Sequence, residues 1–137
     1  MDISDLLSLS PQQFEIAVSR YLARMGYQTE LTKYTGDGGI DIFARSSQPI
    51  VGGKIIVQCK RYAPQVTVGE PVLRDLYGLV ISSGANKGLV VTTSSFTPAA
   101  VQFALGKPLE LIDGDLLTSL MRDDPSVQKI TTSFELD

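Results

Sequence analysis

The stretch KIIVQCK at residues 54–60 carries the clearest strand signal in the chain. It is rich in β-branched residues, which favour extended structure. Residues two apart in a strand share a face, so Gln58 and Lys60 should point the same way. The opposite face is apolar and is expected in the core: Ile55, Val57 and Cys59. The sequence therefore predicts an apolar strand with a polar pair near its end.

A second strand is predicted just upstream, at residues 39–44, and it overlaps the glycine-rich stretch GDGGID at residues 36–41. Residues 49–53 contain proline and glycine, which mark a turn, so the two strands should form an antiparallel hairpin. The glycines around Asp37 indicate a tight turn. We interpret Asp37 as a turn former rather than as part of a phosphate cradle, because no phosphate-binding lysine motif follows.

Asp41 is the polar residue of this second strand. Its neighbours Ile40 and Ile42 are apolar and are expected in the core, which leaves Asp41 to project toward the side of Gln58 and Lys60. Three polar side chains would then meet on one patch at the end of the hairpin.

The first predicted helix carries a fourth candidate residue. Ser10 can cap the start of this helix, Pro11 suits the first helical position, and Gln13 completes a Ser-x-x-Gln capping box. An apolar face at helical spacing follows, and Gly26 is placed to end the helix. Glu15 lies beside that apolar face rather than opposite it, so its carboxylate is expected to be half-buried.

The remaining elements alternate between strand and helix. Further strands are predicted at residues 27–33, 89–93 and 108–112, and helices at residues 69–81, 97–105 and 113–121. An early hairpin followed by alternation indicates an α/β fold, with a mixed β-sheet core flanked by helices. We assign residues 1–121 to one domain and residues 122–137 to a polar C-terminal tail.

Composition limits the class of protein. With 137 residues, 43% of them hydrophobic, the chain can form one core but not a second full domain. The single cysteine argues against a disulfide framework and against a zinc site, and it favours a reducing, cytoplasmic setting. Because the sequence has no long apolar run, we expect a soluble chain without a membrane span or a cleaved leader.

The polar residues at the end of the hairpin match the ligands that Mg²⁺ prefers, which are carboxylates, other oxygens, water and substrate phosphate. Asp41, the amide oxygen of Gln58 and the backbone carbonyl of Cys59 form such a set, and Glu15 could join directly or through water. Mg²⁺ polarises phosphate and acidifies water, while Lys60 would orient that water and stabilise the developing negative charge. The pattern predicts metal-dependent cleavage of a phosphodiester.

Histidine is absent from the chain, which excludes imidazole catalysis. Ser94 and Ser95, near the end of a predicted strand, therefore lack the base that a serine nucleophile needs, and we assign them a loop role. A metal ion, rather than an imidazole, would have to activate the attacking water.

The net charge of −3 suggests that the chain alone holds DNA weakly, because affinity for the DNA backbone comes largely from Lys and Arg. Local charge matters more than the total. Four basic residues are expected to rim the site: Lys54, Lys60, Arg61 and Arg74. Arg61 and Tyr62 either touch the DNA backbone or are simply exposed, and the sequence favours neither.

At these residues the chain resembles the Mrr-like branch of the restriction-endonuclease-like superfamily, whose metal-dependent nucleases carry an aspartate on one strand and a Glu/Gln-x-Lys triplet on the next. The resemblance spans roughly residues 14–114 and rests on GDGGID (36–41), VQCKRY (57–62), VTTSSFT (91–97) and LIDG (111–114). It implies that Asp41, Gln58 and Lys60 are the catalytic core and that Glu15 is the supporting acid.

The resemblance also implies a DNA endonuclease that uses Mg²⁺, with Mn²⁺ as a substitute, in restriction or defence against foreign DNA. Members often carry a separate DNA-recognition domain, so recognition is expected from another domain or subunit. We also expect a homodimer, because double-strand cleavage needs two active sites. Two alternatives stay open. The fold could be retained as a DNA-binding or assembly module, its chemistry lost because glutamine replaces an acid, or it could be a structure-specific nuclease of the Holliday-junction type.

Overall fold

The computed structural model describes residues 2–32 and 39–122, which form one five-stranded sheet with helices on both faces. The strands are β1 (Gln28–Leu31), β2 (Ile42–Ser46), β3 (Gly53–Lys60), β4 (Lys87–Thr92) and β5 (Leu109–Ile112). They lie side by side in chain order. The pairs β1–β2 and β2–β3 are antiparallel, whereas β3–β4 and β4–β5 are parallel. The predicted mixed sheet of an α/β fold is confirmed.

The helices of the described segments are α1 (Ile3–Leu7), α2 (Pro11–Arg24), α3 (Glu70–Ser83), α4 (Pro98–Ala104) and α5 (Gly114–Met121). Helices α1, α2 and α5 cover one side of the sheet, called the α2 face below, and α3 and α4 cover the other side, the α3 face. Parallel neighbours need a crossover connection, which α3 supplies between β3 and β4 and α4 supplies between β4 and β5. No helix of the described segments is both long enough and apolar enough to cross a lipid bilayer.

Strand β3 lies at the centre of the sheet and contributes side chains to both cores by alternation. Ile55 and Val57 pack on the α2 face, with Cys59 partly buried against the same cluster, whereas Ile56 enters the core of the α3 face. Phe14 of α2 is fully buried in the first of these cores, and burial of such a side chain stabilises the fold by roughly 1.5–3 kcal/mol. The expected core-facing side of β3 is confirmed.

The helix starts follow capping signals in the sequence. The Ser10 hydroxyl accepts the N–H of Gln13 at 3.1 Å, and the Gln13 side chain accepts the N–H of Ser10 at 2.9 Å, which is the predicted capping box. The sequence-based prediction lacks α1, which begins with the same device. The side chains of Asp2 and Asp5 accept each other's N–H at 3.3 and 2.8 Å. This Asp-x-x-Asp spacing is the signal that could have revealed α1.

Most predicted elements match the observed ones to within two residues at each end. The exception is the strand predicted at residues 39–44, since β2 starts only at Ile42 and continues to Ser46. The ladder between β2 and β3 is irregular before Ile42, as described below. The predicted turn at Asp37 lies outside the described residues, as does the predicted tail from residue 123 onward.

Candidate active site

Gln58 is buried near the end of β3, with only 5% of its surface exposed. Its amide oxygen Oε1 has no hydrogen-bond partner in the part of the chain that the structure describes. Gly39, at φ +98°, lies against the amide nitrogen, and a Cβ at position 39 would collide with that nitrogen. Leaving such an oxygen unpaired costs about 1–3 kcal/mol. A cation that bound the oxygen would remove this cost.

Asp41 lies where the ladder between β2 and β3 becomes irregular. Its N–H donates to the carbonyl of Val57 at 2.8 Å, although the strand register pairs Val57 with Ile42. Two consecutive residues thus face one residue of β3, which is the geometry of a β-bulge. As a result, Ile40 packs in the core of the α3 face and Ile42 in that of the α2 face. Both are buried as expected, but the regular alternation predicted for this strand is wrong.

The bulge brings the Asp41 carboxylate to Cys59, the residue between Gln58 and Lys60. Oδ2 of Asp41 accepts the N–H of Cys59 at 2.7 Å. Burial is the largest influence on the pKa of Asp41 and raises it, whereas the Cys59 N–H and the charge of Lys60 offset part of the rise. The charge of Lys60 therefore acts on the Asp41 carboxylate at the end of β3.

Glu15 of α2 reaches the same carboxylate from the α2 face. The pKa of Glu15 is raised from 4.5 to about 7. Burial is the largest cause, followed by the charge of Asp41 and a hydrogen bond with Asp41. The same hydrogen bond lowers the pKa of Asp41, so the shared proton resides on Glu15. The two residues form an acid pair in which Glu15 keeps its proton up to about pH 7. The expected half-burial of Glu15 is confirmed.

Cys59 offers only its backbone to this site. Its side chain packs against the core of the α2 face. Burial, together with the charges of Asp41 and Glu15, raises the pKa of the Cys59 thiol well above its usual value. A neutral thiol is a poor ligand for a hard cation such as Mg²⁺. The backbone carbonyl is therefore the group of Cys59 that suits the predicted ligand set.

The basic rim predicted around the site is only partly present. Lys60 lies at the site, but Lys54 lies at the opposite end of β3, about 20 Å away at the usual rise per residue. The Lys54 ammonium is 5.4 Å from the ring centre of Phe43. Arg74 is engaged on α3, where its Nε donates to Glu70 at 2.7 Å. The prediction that Lys54 rims the site is wrong.

Arg61 follows Lys60 and turns toward α1. Its Nη1 donates to the carbonyl of Leu7 at 3.3 Å, while its Nε is buried with no partner in the described segments. The next residue, Tyr62, is partly buried against the core of the α3 face. Both residues therefore have packing contacts within the domain, and a contact with DNA stays a prediction.

The candidate ligands are oxygen groups of mixed charge. Within residues 2–32 and 39–122, no three His, Cys, Asp or Glu residues are grouped so that they could hold a metal ion. The set instead joins the carboxyl groups of Glu15 and Asp41 to the neutral oxygens of Gln58 and Cys59. Mg²⁺ usually takes one or two carboxylates and completes its shell with water and phosphate. The residues fit Mg²⁺, and the unpaired Oε1 of Gln58 is the observation that supports the fit.

Comparison with known proteins agrees with this geometry. A protein-family model described as a restriction endonuclease, of the Mrr catalytic-domain type, matches residues 6–121. The Type IV methyl-directed restriction enzyme EcoKMrr of Escherichia coli (strain K12) is 39% identical over an alignment of 125 residues, and the match covers 87% of this chain and 40% of that enzyme. The chain thus spans less than half the length of this relative.

Solved structures share the fold. The DNA modification-dependent restriction endonuclease AspBHI matches with a TM-score of 0.76 and 22% identity, over 96% of this chain and 39% of that one. MspJI restriction endonuclease in complex with a 27-mer oligonucleotide matches with a TM-score of 0.65 and 22% identity, over 89% of this chain and 31% of that one. These two likenesses concern architecture, whereas the family match covers most of the sequence. The chain belongs to the Mrr-type restriction endonuclease family.

Proposed function

We propose that the chain is a metal-dependent DNA endonuclease domain that hydrolyses phosphodiester bonds. The observation that carries the proposal is the buried, unpaired Oε1 of Gln58, on the strand end that also meets the acid pair of Glu15 and Asp41. Membership of a restriction endonuclease family supports nuclease chemistry. The proposed cofactor is Mg²⁺, and Mn²⁺ is expected to substitute for it.

Each residue of the site has a proposed role. Asp41 and Gln58 hold the cation together with the carbonyl of Cys59, and Glu15 joins them directly or through water once its proton has left. When bound, Mg²⁺ supplies Lewis-acid chemistry, which polarises phosphate and acidifies water. Lys60 carries the ammonium that orients the attacking water and stabilises the negative charge that develops on the phosphate.

The proposed biological role is restriction of, or defence against, foreign DNA in the cytoplasm. Two related proteins have names that describe them as methyl-directed and as DNA modification-dependent. The chain covers only 40% of the first of these proteins, so we propose that another domain or subunit recognises the target. The net charge of −3 fits this division, because weak affinity for the backbone leaves the capture of DNA to that partner.

A plasmid-nicking assay tests the enzymatic proposal. Supercoiled DNA is incubated with the protein in Mg²⁺, Mn²⁺, Ca²⁺ or EDTA. Cleavage that appears with Mg²⁺ or Mn²⁺ and vanishes on chelation supports an endonuclease. Asp41→Asn is the matched negative variant, because it keeps the shape of the ligand but removes its charge. DNA binding without cleavage in any metal would instead support a binding module, and preferential cutting of a four-way junction would support a structure-specific nuclease.

We also propose a homodimer formed through a helical face. Both helices of the α3 face expose large apolar side chains. On α3, Ile81 is 65% exposed, and on α4, Val101 and the C-terminal cap residue Leu105 are 48% and 63% exposed. We expect sedimentation to detect a dimer, at least on DNA, and Ile81→Asp to weaken it. Ile50→Asp, at the exposed tip of the β2–β3 hairpin, is the control and should not change association. A monomer that makes double-strand breaks contradicts the proposal.

The metal-free protein should lose stability as the pH rises through neutrality. The pKa of Glu15 is about 7 in the folded chain against an ordinary 4.5, so the folded state binds more protons between these values. The stabilising contribution of Glu15 is therefore complete below about pH 4.5 and is lost as the pH rises through about 7. Melting temperatures in EDTA should fall over this range, and Glu15→Gln should flatten the decline. Equal pH profiles for the two proteins would contradict the acid pair.

A further inference from the structure

Strand β3 ends at Lys60, whose backbone carbonyl accepts three hydrogen bonds. The Lys60 carbonyl oxygen accepts the Tyr62 N–H at 3.0 Å, the Thr93 N–H at 3.3 Å and the Thr92 hydroxyl at 2.7 Å. The bond from Tyr62 closes a γ-type turn centred on Arg61. The shortest of the contacts comes from the Thr92 side chain. The point at which the chain leaves the sheet after Lys60 is therefore held from the neighbouring strand β4.

The hydrogen-bonding capacity of the Thr92 hydroxyl is fully committed. A carbonyl only accepts, so the single hydroxyl hydrogen goes to Lys60, and the oxygen is free to accept. It accepts the N–H of Ser94 at 3.1 Å and lies 3.2 Å from the Ser94 hydroxyl. Thr92 has 0% of its surface exposed, so water does not compete for these bonds. The orientation of the hydroxyl is thus determined by its surroundings.

The support behind Thr92 is itself held in place. The Thr93 hydroxyl donates to the carbonyl of Tyr62 at 2.6 Å, so consecutive threonines reach carbonyls on either side of the turn. The Gly114 N–H, at the start of α5, donates to the carbonyl of Ser94 at 2.8 Å. A Cβ at Gly114 would collide with the carbonyl oxygen of Thr93. Thr93 and Ser94, which follow β4, are therefore packed between the turn and the start of α5.

A second contact holds β3 from the other side. Oδ2 of Asp41 accepts the N–H of Cys59, while Thr92 donates to the carbonyl of Lys60. The Cys59 N–H, just before the peptide group that joins Cys59 to Lys60, therefore bonds toward β2, and the Lys60 carbonyl just after it bonds toward β4. Lys60 and Thr92 are also partners in the parallel register, so their side chains leave the sheet on the same face.

We propose that Thr92, assisted by Thr93, is a positioning residue for Lys60. The inference rests on the proposed catalytic role of Lys60. A lysine side chain has four rotatable bonds, so the placement of its ammonium depends on a fixed backbone, and a misplacement of about 1 Å can cost about 100-fold in rate. The hydroxyl of Thr92 fixes the backbone at this point, because it donates to the Lys60 carbonyl. Valine would fill the same space but could not bond to the carbonyl.

The test compares Thr92→Val with Thr92→Ser, which differ in whether the hydroxyl is kept. Single-turnover cleavage at saturating Mg²⁺, with the protein in excess over DNA, should fall about 10- to 100-fold in Thr92→Val, while DNA affinity measured in Ca²⁺ stays within about twofold. Thr92→Ser should restore most of the rate. Thr29→Val is the control, because it removes a hydroxyl that accepts from Ser19 at 2.9 Å on the edge strand β1; its rate should match the wild type.

Amide hydrogen exchange gives a readout that does not depend on cleavage. Peptides that span residues 57–64 should exchange faster in Thr92→Val than in the wild type or in Thr92→Ser. If the wild type cleaves in no metal, the proposed function fails, yet the exchange comparison still tests the hold on Lys60. If Thr92→Val does not fold, Thr93→Val, which loses the bond to Tyr62, takes its place. If the folded valine variant cleaves DNA and exchanges amide hydrogens at wild-type rates, the inference is wrong.

Discussion

Replacing Lys60 with alanine should abolish DNA cleavage while the fold remains intact. The charge of Lys60 acts on the Asp41 carboxylate, and in the proposed mechanism it also stabilises the charge that develops on the phosphate. Loss of one such group lowers kcat by about 100- to 1,000-fold in enzymes of known mechanism. Lys60 is only half-buried, so the free energy of unfolding should change by roughly 0.5 kcal/mol or less. Plasmid cleavage and thermal melting measure these two effects.

Lys54→Ala is the matched control for this variant. It makes the same change on the same strand, but at the end remote from the site, where the ammonium lies over Phe43. We expect it to cleave DNA at close to the wild-type rate. Binding of DNA in Ca²⁺ should be similar in both variants, because each loses one positive charge. Near-normal cleavage by Lys60→Ala would remove Lys60 from the mechanism.

The second large effect is expected at Gln58, where a neutral amide stands among the candidate metal ligands. Oε1 is buried and has no hydrogen-bond partner in the described segments, and it can bind a cation but carries no full charge. The free protein should therefore bind Mg²⁺ weakly and depend on the scissile phosphate to complete the shell, so that metal and DNA bind with positive coupling. Gln58→Glu should tighten metal binding to the free protein roughly tenfold or more, whereas Gln58→Ala should lose both binding and cleavage.

Glutamate nearly preserves the geometry of this residue but not its chemistry. The amide nitrogen of Gln58 lies against Gly39, and a carboxylate would replace it with an oxygen that carries negative charge and has no hydrogen to donate. We therefore expect Gln58→Glu to keep part of the cleavage activity rather than all of it. Calorimetric titration of Mg²⁺ with and without DNA measures the coupling. Gln28→Glu, which adds the same charge on exposed β1, is the control. If Glu at position 58 leaves metal affinity unchanged while Ala cleaves normally, Gln58 is not a ligand.

Features that depend on local signals could be predicted from the sequence. Helix α2 starts where its capping box places it, because Ser10 and Gln13 bond within one turn. Strand β3 is evident from its own β-branched residues, and a period of two places Gln58 and Lys60 on the face opposite to Ile55, Val57 and Cys59 without knowledge of any partner strand. The bulge at Asp41 could not be predicted, since it arises from the carbonyl of Val57 on another strand.

The sequence by itself determined the order of the elements from α2 onward, the mixed sheet and the residues from which a metal site could be built. Only the tertiary structure decided how these residues meet. The contact of Asp41 with Cys59 spans 18 positions and that of Thr92 with Lys60 spans 32, and the acid pair joins Glu15 on α2 to Asp41 beside β2. Such contacts depend on strand register and on the docking of a helix against the sheet. Both are set by packing across the whole core, which a local pattern of residues does not encode.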